Sequence, residues 1–307
     1  MADELASIID GLRRPQKVIS PKWFYDETGS QLFDDITRLP EYYLTDTELG
    51  IMERYIDEMT GCIGANASLI EFGAGSSLKT RLLLEHMDSP AAYVPVDISE
   101  EHLLESQQSI QADFPDIEVL PVAADFLHPF DLPNPKTMPE RNIVYFPGST
   151  IGNFETAAAL ELLRVMHGEA GDDGALLIGV DLQKDPEIID AAYNDSAGVT
   201  AEFNLNMLRH LNREFGSDFD LDAFEHRATY RRGEGRVVVE LVSARDQKAR
   251  IGDASIAFER GESIITEYSH KYTLESFAAM AQQAGFSVDK VWTDARDWFS
   301  VQYCTRE

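Results

Sequence analysis

From Ala67 onward, short apolar runs alternate with stretches whose apolar residues recur at helical spacing. Ser68-Leu69-Ile70-Glu71-Phe72 has strand length and breaks at Gly73-Ala74-Gly75, and a helical pattern follows from Leu78 through Met87. Ala92 to Asp97 predicts a second strand, Ser99 to Ala112 a helix, and Ile117 to Val122 a third strand. Arg141 to Pro147 predicts a fourth strand, Thr156 to Met166 a helix, and Ala175 to Asp181 a fifth strand. Strands that are apolar along their length and separated by helices imply a parallel sheet covered on both faces. The same texture returns near the end, with a helix over Leu274 to Ala284, a strand through Val288 to Trp292 and a last strand from Trp298 to Tyr303.

Two regions stand outside this alternation. Residues 1–60 read as helical and aromatic-rich, with Pro21-Lys22-Trp23-Phe24-Tyr25-Asp26 and Leu39-Pro40-Glu41-Tyr42-Tyr43, and Thr45 or Asp46 caps a helix predicted over Thr47 to Met59. Between about 185 and 260, Asp185 to Phe215 predicts helices, while Arg236 to Val242 and Ile251 to Phe258 predict strands with antiparallel pairing. The expected organisation is an α/β sheet domain of residues 61–184 plus about 270–307, beside an α+β accessory domain of residues 1–60 plus about 185–269. The chain then crosses between domains twice.

Composition narrows the function classes. The 307 residues are 44% hydrophobic and 10% aromatic, which is the composition of a folded chain. Lys and Arg number 26 against 54 Asp and Glu, a formal charge of -28. That balance disfavours nucleic acid and anionic membranes as partners, because both attract a basic footprint. The two cysteines, Cys62 and Cys304, make neither a disulfide framework nor a zinc pattern. The seven histidines form no close ligand pair, so no metal is expected. Met1 to Asp10 carries acids and no long apolar run, and no window reaches membrane-spanning length, so a cytoplasmic location is the expectation. A monomer is expected as well, on no particular residue.

Candidate chemistry begins at Glu71-Phe72-Gly73-Ala74-Gly75, between a strand and a helix. Glycines there let the backbone approach a ligand at the carboxyl edge of a sheet. Position 78 is Leu, so the full dinucleotide fingerprint is missing, and no phosphate cradle is present. Asp97 ends the next strand, 26 residues after Glu71, where an acid accepts the hydroxyls of a ribose. Asp125 follows the third strand, where an acid can read an adenine amino group. This succession suggests an adenosine ligand. An acidic site without a pyrophosphate cradle suits S-adenosylmethionine, a sulfonium cation, better than a dinucleotide.

These residues, taken together, resemble one family. Pro21 to Asp26, Arg38-Leu39-Pro40-Glu41-Tyr42-Tyr43, Glu71 to Gly75 with Lys79-Thr80-Arg81, Tyr93 to Asp97, Phe146-Pro147-Gly148-Ser149-Thr150-Ile151-Gly152-Asn153-Phe154 and Thr266-Glu267-Tyr268-Ser269 are similar to the L-histidine N-alpha-methyltransferases of ergothioneine biosynthesis. The resemblance runs from about residue 15 to 303. It implies a class I S-adenosylmethionine-dependent methyltransferase, Rossmann-like with a mostly parallel sheet, carrying an added substrate-binding domain. It implies trimethylation of the α-amino group of L-histidine to hercynine. Gly73, Gly75, Lys79, Asp97 and Asp125 would hold the cosubstrate. Tyr42, Asn153 and Tyr193 would hold the carboxylate and amine of histidine, with Tyr25 close to the amine. Glu267 and Ser269 would bond the imidazole, and Val239 falls near a methionine of the family pocket, where a smaller residue enlarges it.

The chemistry agrees with those residue types. Methyl transfer is an in-line displacement that needs a neutral amine aimed at the sulfonium methyl. Asn153 can orient an amine without adding charge, and Tyr25 can pass its proton onward. Residues two apart on a strand share a face, so Glu267 and Ser269 can address one ring. Two other readings keep the fold: methylation of a different aromatic amino acid or small amine, and a non-catalytic adenosine-binding module. Glu267 and Ser269 separate the first from histidine methylation, and turnover separates the second.

Overall fold

The structure is a computed structural model that describes residues 2–74 and 78–306. In chain order its elements are α1 (Ala2–Leu12), β1 (Lys17–Val18), α2 (Glu27–Ile36), α3 (Tyr43–Ile63), β2 (Ala67–Phe72), α4 (Leu78–His86), β3 (Ala92–Asp97), α5 (Glu100–Asp113) and β4 (Val122–Ala123). There follow β5 (Arg141–Phe146), α6 (Thr156–Ala170), β6 (Ala175–Asp181), α7 (Pro186–Tyr193), α8 (Val199–Phe215), β7 (Phe224–Arg231) and β8 (Arg236–Ser243). The last are β9 (Gln247–Ile251), β10 (Ala254–Phe258), β11 (Ser263–His270), α9 (Leu274–Gln283), β12 (Phe286–Thr293) and β13 (Phe299–Arg306).

The chain forms two compact units. One holds residues up to 43 together with 184–270, and the other holds 44–183 and 271 onward. Residues 44–60, expected in the accessory segment, lie with the sheet unit, because Ile51, Met52, Ile56, Met59 and Ile63 of α3 enter its core.

That unit is built on seven strands in the order β12-β13-β6-β5-β2-β3-β4. Strands β2 to β6 run parallel, and β13 and β12 close the edge antiparallel. β2 and β6 are buried at every position, as strands covered on both faces must be. One core gathers Leu69, Tyr93, Ile143 and Leu177, and a second gathers Ile70, Val94, Val144 and Ile178. These are alternate residues of the same strands, so two apolar layers sandwich one sheet. The expected strand 117–122 is reduced to Val122–Ala123. Pro121 has no N–H to give the ladder, and the segment before it touches β3 only through a bridge at Val119 and Tyr93.

The other unit carries a four-stranded sheet, β1-β11-β8-β7, and the hairpin β9–β10. The expected single strand 251–258 folds back on itself at Gly252, whose φ is +54. The helical stretch 185–215 splits after Tyr193, and the Asp195 carboxylate caps α8 through the N–H groups of Val199 and Thr200 at 2.9 and 2.8 Å. Trp23, Phe24, Phe203, Met207, Leu241 and Ile264 form its core. Among the described residues no helix is long and apolar enough to cross a membrane.

Candidate active site

In the sheet unit, the glycine turn lies at the carboxyl end of β2. Gly73 has φ +72, a left-handed conformation natural to glycine, and its N–H donates to the Val96 carbonyl at 2.8 Å. Backbone conformation sets this requirement, since an added Cβ would come no nearer than 3.7 Å to the Phe126 ring. Glu71 anchors the turn: its buried carboxylate accepts from Thr80 Oγ1 at 2.8 Å and from the Tyr93 hydroxyl at 2.5 Å. Burial pushes this carboxyl up, and the two hydroxyl donors pull it partway back. Gly75 lies outside the described residues.

Asp97 closes β3 half-buried, with one oxygen accepting the Ser99 N–H at 2.9 Å. Asp125 is exposed just past β4 and accepts the Leu127 N–H at 3.1 Å. The β3–β4 ladder pairs Asp97 with Ala123, so the two acids stand at neighbouring parallel strand ends, where open sheets bind ligands.

Lys79, in the first turn of α4, pairs with Glu48 of α3 at 2.5 Å. The Glu48 carboxylate, 1% exposed, also accepts the Gly148 N–H at 2.9 Å. Gly148 (φ +76) and Ser149 (φ +57) both turn left-handed, and one 3-10 turn, Thr150–Asn153, follows. Left-handed backbone is uncommon for serine. The loop is held there because the Asp181 N–H donates to Ser149 Oγ at 2.9 Å. It ends on the half-buried Asn153. A left-handed glycine, two strand-end carboxylates, a lysine and the Phe126 ring fit the parts of S-adenosylmethionine: ribose hydroxyls and adenine amine for the acids, carboxylate for the lysine.

In the other unit, Glu267 and Ser269 lie opposite Val239 and Val237 in the β11–β8 ladder, so all four share one face. A bulge between Ile265 and Glu267 shifts the register just before them. Tyr193, the last residue of α7, shares a 2.7 Å hydrogen bond between its hydroxyl and Ser269 Oγ. Tyr25 follows a 3-10 turn, Pro21–Phe24, and meets Phe33 and Phe203 edge-on at 5.9 and 5.7 Å. Half-buried Tyr42 meets Phe33 edge-on at 6.4 Å. Tyr25 keeps 42% of its surface accessible, yet protein crowds its hydroxyl. That desolvation, then the Glu267 carboxylate and then Tyr193, raises the phenol well above its ordinary range. The structure therefore brings Tyr25, Tyr193, Glu267 and Ser269 into one electrostatic group.

The turn bearing Tyr25 is fixed by its neighbours. Asp26 accepts from Gly29 N–H at 2.7 Å, Asn206 Nδ2 at 2.8 Å and Arg213 at 2.7 Å. Burial opposes its charge, but these donors outweigh burial and hold the carboxyl below the usual range. His210 Nδ1, also on α8, bonds the Trp23 carbonyl at 2.9 Å.

Sequence reasoning missed Glu48 and Phe126. The signal for Glu48 was its place one turn before Ile51 and Met52 on the apolar stripe of a predicted helix, where an acid needs a buried partner. Among the described residues, no group of three or more His, Cys, Asp or Glu gathers as metal ligands would.

The sheet order and the strand-end site define a class I S-adenosylmethionine-dependent methyltransferase, an α/β fold with a mostly parallel sheet. A methyltransferase of that dependence from Clostridium acetobutylicum shares the fold at a TM-score of 0.52 and 9% identity, over 91% of this chain and 98% of that one. The chain matches the family described as "Histidine-specific methyltransferase, SAM-dependent" over residues 4–306, and it belongs to that family. It is 39% identical to the Histidine N-alpha-methyltransferase of Mycolicibacterium smegmatis, over 96% of this chain and 92% of the relative. The protein of the same name from Mycobacterium tuberculosis is 36% identical, over 97% and 94%. Ergothioneine biosynthesis protein 1 of Neurospora crassa is 29% identical over 89% of this chain, which spans 32% of that longer protein.

Proposed function

We propose that this enzyme transfers methyl groups from S-adenosylmethionine to the α-amino group of L-histidine, as far as the trimethylated betaine hercynine, the first step of ergothioneine biosynthesis. The observation that carries the choice of substrate is the pairing of Glu267 with Ser269 on one strand face, with the Tyr193 hydroxyl on Ser269 at 2.7 Å. A carboxylate and a hydroxyl side by side suit the two nitrogens of an imidazole.

In each cycle the amine lone pair forms the N–C bond as the C–S bond breaks, and sulfur keeps the electron pair. The α-ammonium loses one proton to expose its lone pair, the first two cycles each release another from nitrogen, and the third releases none, three protons in all. Asn153 orients the amine, Tyr42 and Tyr193 hold the amino acid, and Tyr25 accepts a hydrogen bond near the amine. Gly73, Lys79, Asp97 and Asp125 hold the methyl donor, and Gly75 belongs to the same loop by sequence. The sheet unit is thus the cosubstrate domain and the other the amino-acid domain. The same reading has the enzyme act as a cytoplasmic monomer, which light scattering and cell fractionation check.

Mass spectrometry after incubation with S-adenosylmethionine and single amino acids tests the reading. Histidine alone should gain three methyl groups. Methylation of tryptophan or tyrosine in place of histidine would overturn the imidazole roles of Glu267 and Ser269.

A further inference from the structure

Behind Tyr193 runs a chain of side chains that the proposed reaction does not use. Thr266 Oγ1 lies 2.8 Å from Asn204 Oδ1. Asn204 Nδ2 lies 3.0 Å from the Glu240 carbonyl and 2.9 Å from His226 Nδ1. His226 Nε2 lies 2.9 Å from the Tyr193 carbonyl. Asn204 and Thr266 are each 1% exposed.

The carbonyls decide every proton along this chain. The Glu240 carbonyl offers only an acceptor, so the amide must turn its NH2 toward it, which leaves its oxygen facing the Thr266 hydroxyl, a group that also reaches the Val239 carbonyl at 3.1 Å. The second hydrogen of that NH2 then points at His226 Nδ1, which must be bare. The ring's one proton sits on Nε2 and donates to the Tyr193 carbonyl. An imidazolium would set Nδ1–H against the amide N–H, and the amide cannot flip without setting its oxygen against the Glu240 carbonyl.

We propose that Asn204 and His226 are positioning residues for the amino acid: the neutral ring holds the end of α7, and through it the Tyr193 hydroxyl against Ser269. The inference rests on the amino-acid site proposed above. The electrostatics around the ring agree with it. Burial lowers the pKa of His226, against smaller opposing effects of the Tyr193 carbonyl and Asp195, so the ring is neutral at neutral pH. Asp195, on the α7–α8 connection, is spent on capping α8. Asp190 of α7 accepts the Tyr230 N–H, Glu240 of β8 turns its carboxylate to Arg227 and Ser263, and Glu202 of α8 pairs with Arg209.

The test joins spectroscopy to kinetics on the full chain. Two-bond 15N–1H spectra, with His226 assigned by its loss in His226→Gln, should show the Nε2–H tautomer at neutral pH. His226→Leu should raise the KM for histidine about tenfold, one neutral hydrogen bond's effect on each side of the ring, and leave the KM for S-adenosylmethionine unchanged. His226→Gln keeps a donor and an acceptor but does not titrate. Its KM for histidine should stay near wild type, and the wild-type-to-Gln ratio should climb as pH falls, with the substrate's own titration cancelling. An Nδ1–H tautomer or an imidazolium at neutral pH overturns the proposal. So does a folded His226→Leu with unchanged KM, or a ratio flat with pH. If His226→Leu fails to fold, the Gln variant and the tautomer decide. A wild-type enzyme that leaves histidine unmethylated overturns the substrate reading, and the tautomer then judges the relay alone.

Discussion

Asp181 and Lys271 form an ion pair of 2.6 Å with both side chains 0% exposed. At that distance the attraction is about 6 kcal/mol for an effective dielectric of about 20. Desolvating each ion costs several kcal/mol, so the pair as a whole is close to neutral for stability, while losing one partner is not. Lys271→Met fills similar volume and removes the ammonium 2.6 Å from the buried carboxylate, and should destabilise the sheet unit by about 3 to 5 kcal/mol. Adding Asp181→Asn removes the buried negative charge and should restore at least half of the loss. Urea denaturation in a Trp23→Phe background reads this unit, because Trp292 and Trp298 both belong to it. The effect should reach the site, since the Asp181 N–H holds Ser149 in the loop that ends on Asn153. A loss under about 1 kcal/mol, or a double variant no better than the single, would refute the reasoning.

Three further outcomes follow from the site. Glu267→Ala should lower kcat/KM for histidine by roughly 10- to 100-fold, a charge-assisted hydrogen bond, and leave the KM for S-adenosylmethionine unchanged; steady-state kinetics on both substrates checks this. Asp97→Asn should weaken S-adenosylmethionine binding by about tenfold in calorimetry without altering the fold. Asp26→Asn should cost about 1 to 2 kcal/mol at neutral pH. Because the folded carboxyl of Asp26 is held low, its contribution is present above the unfolded pKa of about 3.9 and disappears as pH falls through the lower folded value. Urea midpoints of variant and wild type should therefore converge in acid.

The parallel strands were legible because burial on both faces leaves nearly unbroken apolar runs, as at β2, β3, β5 and β6. β7 was not. Its inward residues, Phe224, His226, Ala228 and Tyr230, alternate with solvent-facing Glu225, Arg227, Thr229 and Arg231, and histidine and alanine are weak markers of a core. In the site, Gly73 and Asp97 announced themselves by spacing along the chain, whereas Glu267 and Ser269 were suggested only by the family resemblance. Glu48 with Lys79, and Asn204 with His226, gave no such signal, because each pair meets across 31 and 22 residues of chain. Glu71 shows the opposite failure. It opens the most recognisable motif, yet its carboxylate is spent on Thr80 and Tyr93, so it shapes the loop without facing the ligand edge.

Tyr25 bears on how the proton leaves. Its phenol is raised by crowding and by the Glu267 carboxylate, so it holds its proton beyond the ordinary tyrosine range near about 10. A group that keeps its proton cannot be the base that takes the amine's; it can accept a hydrogen bond at oxygen while donating its own onward. The substrate amine, and not Tyr25, then governs the alkaline side of the rate profile, because only its neutral form carries a lone pair. Tyr25→Phe should cut kcat by about 10- to 100-fold, within the usual yield of a positioned proton relay. It should leave the midpoint of the alkaline rise where it is in wild type. Single-turnover rates across the pH range separate the two roles: a midpoint that moves or vanishes in Tyr25→Phe would mean that the phenol itself titrates in the reaction, and that the crowding read from the structure does not hold it neutral.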